Sequence, residues 1–485
     1  MENSLELPRH WRSPGEDGYR TPTIEDAERA VSIGSNEYPF PPITSREAHT
    51  SALGAINDRG SSFRPVTSNS EKKSVSDNLA GVDHAYPTRV SSERSNKLSW
   101  RRRIRHFTWA YFTLTMATGG IANVLHTVPF RFRGLETIGV VVFLLNIFFY
   151  LCIWAMLITR FCLYPYTFKA SFMHPTESLF VPAAVVSFGT ILINISQYGP
   201  DHTGRWLLET VEILFWIDAT LAVIFSAGIY LLVWSTQTFT IAQMTPIWIF
   251  PAYPLLIIGP HAGNLSAILE PSHSLRVIIG GTTIQGVGFL MSLTVYAAFI
   301  YRLMTQKLPK ENVRPGMFVS VGPSAFTVAG IVNMAANAKR SFPPDFMGDG
   351  ELAANILRVV ANFSSLWLWG LAIFFFWIAT FAHVSAIGPG RMIFSMAWFS
   401  FVFPNTALVT ATFAIGKAFA CKPIEIIGCV MTIILILMYF FVFYMMLRAV
   451  KLRHILWPQV GEDKDEGGFQ VKELNPHSSG ENTPV

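Results

Sequence analysis

Long apolar stretches separated by short polar intervals dominate the chain between residues 104 and 450. Each stretch is long enough to cross a bilayer as a helix, which takes about 20 residues. The pattern predicts an all-α membrane protein with ten transmembrane helices. We place them at 104–129, 135–163, 177–196, 207–234, 246–269, 275–302, 317–337, 353–383, 392–416 and 423–450.

Helix-breaking residues occur in every second stretch. The odd-numbered stretches contain them, and the even-numbered ones have no proline beyond their first turn. Interior proline costs a helix about 3 kcal/mol, and hydrocarbon offers no water to the freed carbonyl. Broken helices therefore belong inside protein, so we predict an inner ring of odd helices and an outer ring of even helices around a central pore. The breakers are Gly119, Gly120, Pro182, Pro254, Pro260, Pro323 and Pro404.

Both ends of the chain are polar. Residues 1–99 and 458–485 lack lasting apolar periodicity and cannot bury enough surface to offset chain entropy, so we predict disordered tails around a transmembrane domain at 100–457. Basic residues concentrate at 101–105, 302–314 and 448–453, which fall on one side of the bilayer if there are ten crossings. Both termini are therefore predicted to be cytoplasmic.

Composition agrees with a protein whose main partner is the lipid bilayer. Hydrophobic residues make up 51% and charged residues 14%, against about 25% charged in soluble domains. The net charge of +5 is modest and nothing else favours nucleic acid. The four cysteines form no C-x-x-C motif or Cys/His cluster, so we predict no metal site, no cofactor and no disulfide framework.

Small and hydroxyl side chains recur at helical spacing on four of the odd stretches. One interpretation is structural, because such residues permit close helix packing and their hydroxyls bond to their own backbone. Since every such stripe falls on a breaker-bearing helix, we expect the stripes to line the pore, where weak polarity lets an anion enter and leave. The predicted lining is Thr115, Thr118, Ser187, Thr190, Asn194, Ser320, Ser324, Thr327, Thr406 and Thr410.

Ionisable residues near the spans allow two interpretations each. Asp218 lies in mid-helix, where an acid is a functional candidate, but on an outer helix where a packing role is at least as reasonable. His261, beside Pro260, is either a titrating group or a structural histidine. Lys417, Arg131 and Arg133 are expected at one mouth of the pore, as anion attractors or as interfacial anchors.

Four segments carry a resemblance to a known family. MATGGIANVLHTVPFRFRGLETIGVVVFLL (116–145), HPTESLFVP (174–182), RPGMFVSVGPSAFTVAG (314–330) and WFSFVFPNTAL (398–408) resemble fungal malate permeases of the tellurite-resistance/dicarboxylate transporter family. The resemblance covers about residues 100–450. It implies five helical hairpins around a pseudo-five-fold axis and a homotrimer with one pore per protomer. Relatives in this family include slow anion channels and sulfite efflux pumps.

The resemblance implies transport of C4-dicarboxylates, malate foremost, with succinate and fumarate as further candidates, through a gated anion pore in the plasma membrane. Sulfite efflux, or another small-anion channel of the same fold, is the alternative. An intramembrane enzyme would need a nucleophile with a partner in register. Neither a G-x-S-x-G elbow nor an H-x-x-x-x-D pair occurs, so no enzymatic activity is predicted.

Phe403 is the predicted gate. It immediately precedes Pro404, where a kink would direct the ring across the bore. In the anion-channel relatives, the phenylalanine of the matching F-P pair closes the pore. Against this, most of the 39 phenylalanines of such a chain are packed or face lipid.

Overall fold

The computed structural model describes residues 99–384 and 392–457, and all of its regular elements in these ranges are helical. The predicted tails at 1–98 and 458–485 lie outside the described residues. The long helices, numbered in chain order, are α1 Phe112–Thr127, α2 Leu135–Leu163, α3 Ala183–Tyr198, α4 Arg205–Thr236, α5 Tyr253–Ile268, α6 Pro271–Gln306, α7 Gly322–Ser341, α8 Gly350–Val384, α9 Phe403–Ala418 and α10 Lys422–Lys451.

Short helical segments fill much of the remainder. One such segment precedes each odd-numbered helix: Trp109–Tyr111, Glu177–Phe180, Pro246–Ala252, Glu311–Val321 and Met396–Phe401. All but the second are 3₁₀ helices. The other short helices are Trp100–Ile104, Tyr166–Met173, Pro200–His202, Ile241–Gln243 and Phe346–Gly348.

The helices form two concentric rings, as the breaker pattern predicted. The odd helices contact each other in the order α1, α3, α5, α7, α9 and back to α1, which closes an inner ring. Each even helix packs against the two inner helices beside it. The apolar windows of the spans ending in α3, α7 and α9 are 89–94% buried, whereas those of the even helices are only 22–39% buried. Leucine, isoleucine and phenylalanine cover the exposed faces of the even helices, as expected for lipid contact.

Within residues 99–384 and 392–457, eight helices are long and apolar enough to cross a bilayer. The remaining two inner helices, α1 and α5, have 16 residues each and rely on the short segment before them to approach the roughly 20 residues that a crossing needs. The all-α membrane fold is confirmed, and the count of ten crossings stays a prediction.

Prolines mark the start of four inner helices. Pro182 immediately precedes α3, and Pro254, Pro323 and Pro404 occupy the second position of α5, α7 and α9. Proline fits there because the first amides of a helix have no intrahelical acceptor and its φ suits the helix. Each proline thus lies where the chain passes from the short segment into the long helix. Pro260, by contrast, lies inside α5, which continues through it.

Gly119 and Gly120 do not interrupt α1, which is one continuous helix. They serve close packing instead. A Cβ on Gly119 would lie 2.6 Å from the hydroxyl oxygen of Thr190 on α3, and one on Gly120 would lie 2.6 Å from that of Thr406 on α9. The glycine pair therefore lets both neighbouring inner helices approach α1.

A buried ion pair holds the short segment Glu177–Phe180, which precedes α3, against α2. Arg160 on α2 is 1% exposed and binds Glu177 at 2.6 Å between Nη1 and Oε1. Arg160 also donates to the Phe107 carbonyl, and Ser171 donates to Glu177 at 2.9 Å. Desolvation makes buried charges costly unless such bonds satisfy them. Glu177 lies in the HPTESLFVP segment, but its partner could not be read from the sequence.

The contact between Gly120 and Thr406 gives a stability prediction. Gly120→Ala should lower the melting temperature in detergent by several degrees, because forcing a methyl group into a filled space costs about 1–3 kcal/mol. Thr406→Ala in the same chain should recover most of the loss. Gly286→Ala is the matched control, since nothing lies within 4 Å of its Cβ position. An equal effect at both glycines would contradict the packing account.

Candidate functional site along the inner ring

The five inner helices run parallel, which gives the ring two distinct ends. Along α1 and α3, Thr115 pairs with Ser187 and, further along both helices, Asn123 pairs with Gln197. In the other pairs of neighbouring inner helices, later residues of one helix likewise contact later residues of the next. We call the end where the inner helices begin the N-terminal side and the opposite end the C-terminal side.

Three aromatic rings meet inside the ring toward its N-terminal side. The Phe403 ring centroid lies 5.3 Å from that of Phe326 on α7 and 5.9 Å from that of Tyr253 on α5. Helices α5 and α9 are not neighbours, since α7 separates them, and outer helices cover the outside of α7. The contact between Tyr253 and Phe403 therefore runs through the interior of the ring. We call these three residues the aromatic cluster.

Further contacts hold the aromatic cluster in place. The Tyr253 hydroxyl donates to the Val319 carbonyl at 2.6 Å, and its ring stacks on Phe250 at 5.3 Å. Phe250 in turn contacts Phe180, just before α3, at 5.1 Å. Phe403 itself is 3% exposed. Rings from the approaches to four inner helices are thus packed together, an arrangement that only the Phe403–Pro404 pair signalled in the sequence.

The predicted lining residues are all buried, and they separate into three groups. The first joins α1 to α3: Thr115 and Ser187 share a hydrogen bond of 2.7 Å, Asn194 donates to the Gly119 carbonyl at 3.2 Å, and Thr190 packs against Gly119. The structure thus brings these four stripe residues together at one interface between inner helices.

A second group is directed to the outer ring. Thr118 shares a hydrogen bond of 2.9 Å with Tyr439 of α10, and Thr327 accepts one of 2.8 Å from Gln285 of α6. Ser324 lies 3.5 Å from the hydroxyl of Tyr296, also on α6. These hydroxyls join the two rings.

The third group bonds to its own backbone. Ser320, Thr406 and Thr410 each donate to the carbonyl three residues earlier, at 2.6–3.0 Å. This is the local bonding expected of hydroxyls in membrane helices. The stripes are therefore neutral and internally bonded, and they carry no fixed charge.

Amide side chains, of which only Asn194 was predicted from the sequence as a site residue, occupy the C-terminal side. Asparagine recurs at positions 123, 194, 264 and 337, at intervals of about 70 residues, in the first four inner helices, and α7 also contains Asn333. Asn194 and Asn337 donate to backbone carbonyls of the preceding inner helix, at Gly119 and Gly263. The interval was a readable signal of an internal repeat.

Basic residues surround the C-terminal side of the ring. Lys417, Arg131 and Arg133 are exposed at the ends of α9 and α1. Arg131 is 3.9 Å from Glu136, which offsets part of its charge. Within residues 99–384 and 392–457, no ion pair is described for Lys417 or Arg133.

Asp218 and His261, considered separately in the sequence, are neighbours. Both are fully buried, and Asp218 Oδ2 lies 3.9 Å from His261 Nδ1, between α4 and α5. The Phe215 ring covers the imidazole edge at 5.1 Å between centroids. At 3.9 Å the two side chains interact electrostatically without a hydrogen bond. Asp218 and His261 thus form a contact between outer helix α4 and inner helix α5.

The side chains along the inner ring can bind a solute or exclude it from the interior of the ring. Aromatic rings, hydroxyls and amides are neutral, so they suit passage of a solute better than covalent transformation. Among the described residues, no group of three or more His, Cys, Asp and Glu could hold a metal ion.

Comparison with known proteins identifies the family. The model of the voltage-dependent anion channel family (SLAC1) matches residues 106–447. A malic acid transport protein of Schizosaccharomyces pombe is 33% identical over 366 residues, which is 75% of this chain and 82% of the relative. A putative malic acid transport protein of the same organism is 31% identical over 373 residues, 77% and 86% of the two chains. The sulfite efflux pump SSU1 of Trichophyton rubrum is 27% identical over 355 residues, 73% and 93%. The chain therefore belongs to the voltage-dependent anion channel family, as a multi-pass membrane transport protein and not an enzyme.

Proposed function

We propose that the protein transports C4-dicarboxylates, malate foremost, across the plasma membrane through a gated pore along the axis of the inner ring. The aromatic cluster carries the proposal of a gated pathway, because it joins helices that do not adjoin one another. Malate is favoured over sulfite because the malic acid transport relatives are 31–33% identical and the sulfite pump is 27% identical.

The wall of this pathway favours anions without holding them tightly. All five inner helices point the same way, so their positive dipole ends converge on the N-terminal side. Basic residues lie at the opposite end, and the hydroxyls between inner helices are neutral. Weak binding at several places along a path permits both entry and exit.

Phe403 is the gate in this proposal. Its ring packs on those of Phe326 and Tyr253, and in this proposal the three rings close the pore with apolar surface that excludes hydrated ions by sterics and dewetting. Opening then requires Phe403 to leave its two partners. The backbone where the 3₁₀ segment Met396–Phe401 meets α9 is the place where such a movement would originate.

The assembly and its orientation follow from resemblance and charge. We infer a homotrimer with one pore per protomer, in keeping with related anion channels. We also infer that the N-terminal side, and both termini, face the cytoplasm, an orientation supported by the basic segments at 101–105, 302–314 and 448–453. The C-terminal side, with Lys417, then faces outward.

Substrate choice is tested with purified protein in liposomes. Labelled malate uptake driven by its own gradient should exceed labelled sulfite uptake several-fold at equal concentrations and low ionic strength. Protein-free liposomes set the background. Sulfite uptake that exceeds malate uptake would assign the chain to the sulfite branch, which the relatives also include.

Removing the gate ring should open the pathway. Phe403→Ala should raise basal malate flux several-fold and reduce discrimination among anions, because a large apolar obstacle is lost. Flux per inserted protein is measured in liposomes. Phe363→Ala is the control, since that ring is 59% exposed on α8. Normal insertion of Phe403→Ala with unchanged or reduced flux would rule out the gate.

The basic mouth should act through its charge. Lys417→Glu should lower malate flux by about two- to ten-fold at low salt, and the effect should shrink at 0.5 M salt because screening shortens the reach of a charge to a few ångströms. Lys422→Glu, at an exposed lysine on the same side but at the start of outer helix α10, should have a smaller effect. A reduction that is the same at both salt concentrations would mean that Lys417 is only an interfacial anchor.

A further inference from the structure

Three amides from three consecutive inner helices form one hydrogen-bonded unit on the C-terminal side. Gln197 of α3 lies at the centre. Its Nε2 donates to Asn123 Oδ1 of α1 at 2.7 Å and to Asn264 Oδ1 of α5 at 3.1 Å. We call these three residues the amide triad.

The amide triad faces the interior of the ring. Among residues 112–125 of α1, Asn123 is the only one that is not buried, and among residues 253–266 of α5 the same is true of Asn264. The outer ring covers the outward faces of these helices. The partial exposure of both asparagines is therefore toward the space that the inner helices enclose.

The amide triad has unused hydrogen-bonding capacity. Gln197 is 8% exposed, and its Oε1 is buried with no hydrogen-bond partner among the described residues. In the same ranges no bond is described from the Asn123 amide nitrogen, whereas Asn264 donates to the Pro260 carbonyl. A buried polar atom without a hydrogen-bond partner lowers the stability of the folded state. The amide triad can therefore accept one further hydrogen bond at Gln197 Oε1 and donate another from the Asn123 amide.

Other amides of the inner ring differ in this respect. Asn194 and Asn337 donate to the backbone of the preceding inner helix, which is a packing role. In the amide triad the bonds run between side chains, and a side-chain amide can rotate to exchange its partners. The amide triad is thus the adaptable group among the amides on the C-terminal side.

The position of the amide triad suits the first selective contact. Asn264 follows Tyr253 by eleven residues, which places the amide triad about 16 Å along the axis from the aromatic cluster. It lies on the same side as Lys417, Arg131 and Arg133. An anion drawn to these basic residues would meet the amides before it reached the aromatic rings.

We propose that the amide triad is a recognition site for a 2-hydroxy carboxylate group, a statement that rests on the proposed dicarboxylate transport. The carboxylate accepts from the Asn123 amide, and the neighbouring hydroxyl donates to Gln197 Oε1 after the Gln197 amide has rotated to expose that oxygen. Both partners are neutral, so the bound anion is released more readily than from a charged site. Malate carries this hydroxyl, whereas succinate, otherwise of the same length, does not.

The test compares malate with succinate in liposomes containing wild-type protein or Gln197→Met, which keeps the length of the side chain without its amide. Wild-type KM should be lower for malate than for succinate. Gln197→Met should raise the malate KM about ten-fold, equivalent to about 1.4 kcal/mol. The succinate KM should change less, so that the preference between the two substrates is lost.

Gln285→Met is the matched control, because Gln285 is a fully buried glutamine that bonds to the Gly259 amide and Thr327. It should reduce the yield of folded protein and leave the ratio of the two KM values unchanged. Wild-type uptake of both substrates with the same ratio in Gln197→Met would overturn the recognition site alone. Wild-type liposomes that take up neither dicarboxylate would overturn the proposed function, and this site with it.

Discussion

The structure depends on one constraint, which is that hydrocarbon cannot hydrogen-bond to an exposed peptide group. Three inner helices, α5, α7 and α9, begin with both a 3₁₀ segment and a proline, where regular α-helical bonding is interrupted. Such backbone is stable in a membrane only when protein surrounds it. The outer ring provides that cover with uninterrupted helices of 29 to 36 residues, whose apolar outward faces meet lipid.

Within that cover, polarity is distributed along the ring axis. Apolar rings meet toward the N-terminal side, and amides and basic residues occupy the C-terminal side. Between them, neutral hydroxyls satisfy one another or their own backbone. This arrangement fits the proposed anion pathway, in which the amides select the solute and the aromatic rings exclude it at a different depth.

The two-ring architecture could be predicted from the sequence because the positions of prolines along the chain indicate which helices are surrounded by protein. The contacts between side chains could not be predicted from the sequence, because helical periodicity shows which residues share a face of a helix but not which neighbouring helix that face contacts. Thr118 and Thr115 belong to one stripe, yet one bonds to outer helix α10 and the other to inner helix α3. The proximity of Asp218 and His261 is visible only in the structure, because the two residues lie on different helices. Phe403 was signalled by Pro404, whereas nothing distinguished Phe326 among 39 phenylalanines.

The most direct test of an anion path along the inner ring is side-chain accessibility in the membrane. In a variant without its four native cysteines, Asn123→Cys and Thr118→Cys would each be treated with an anionic thiol reagent in intact vesicles. Both positions lie on α1, but only Asn123 faces the ring interior. Our account predicts rapid modification and blocked transport at position 123, and no modification at position 118. Modification at 118 with none at 123 would contradict it.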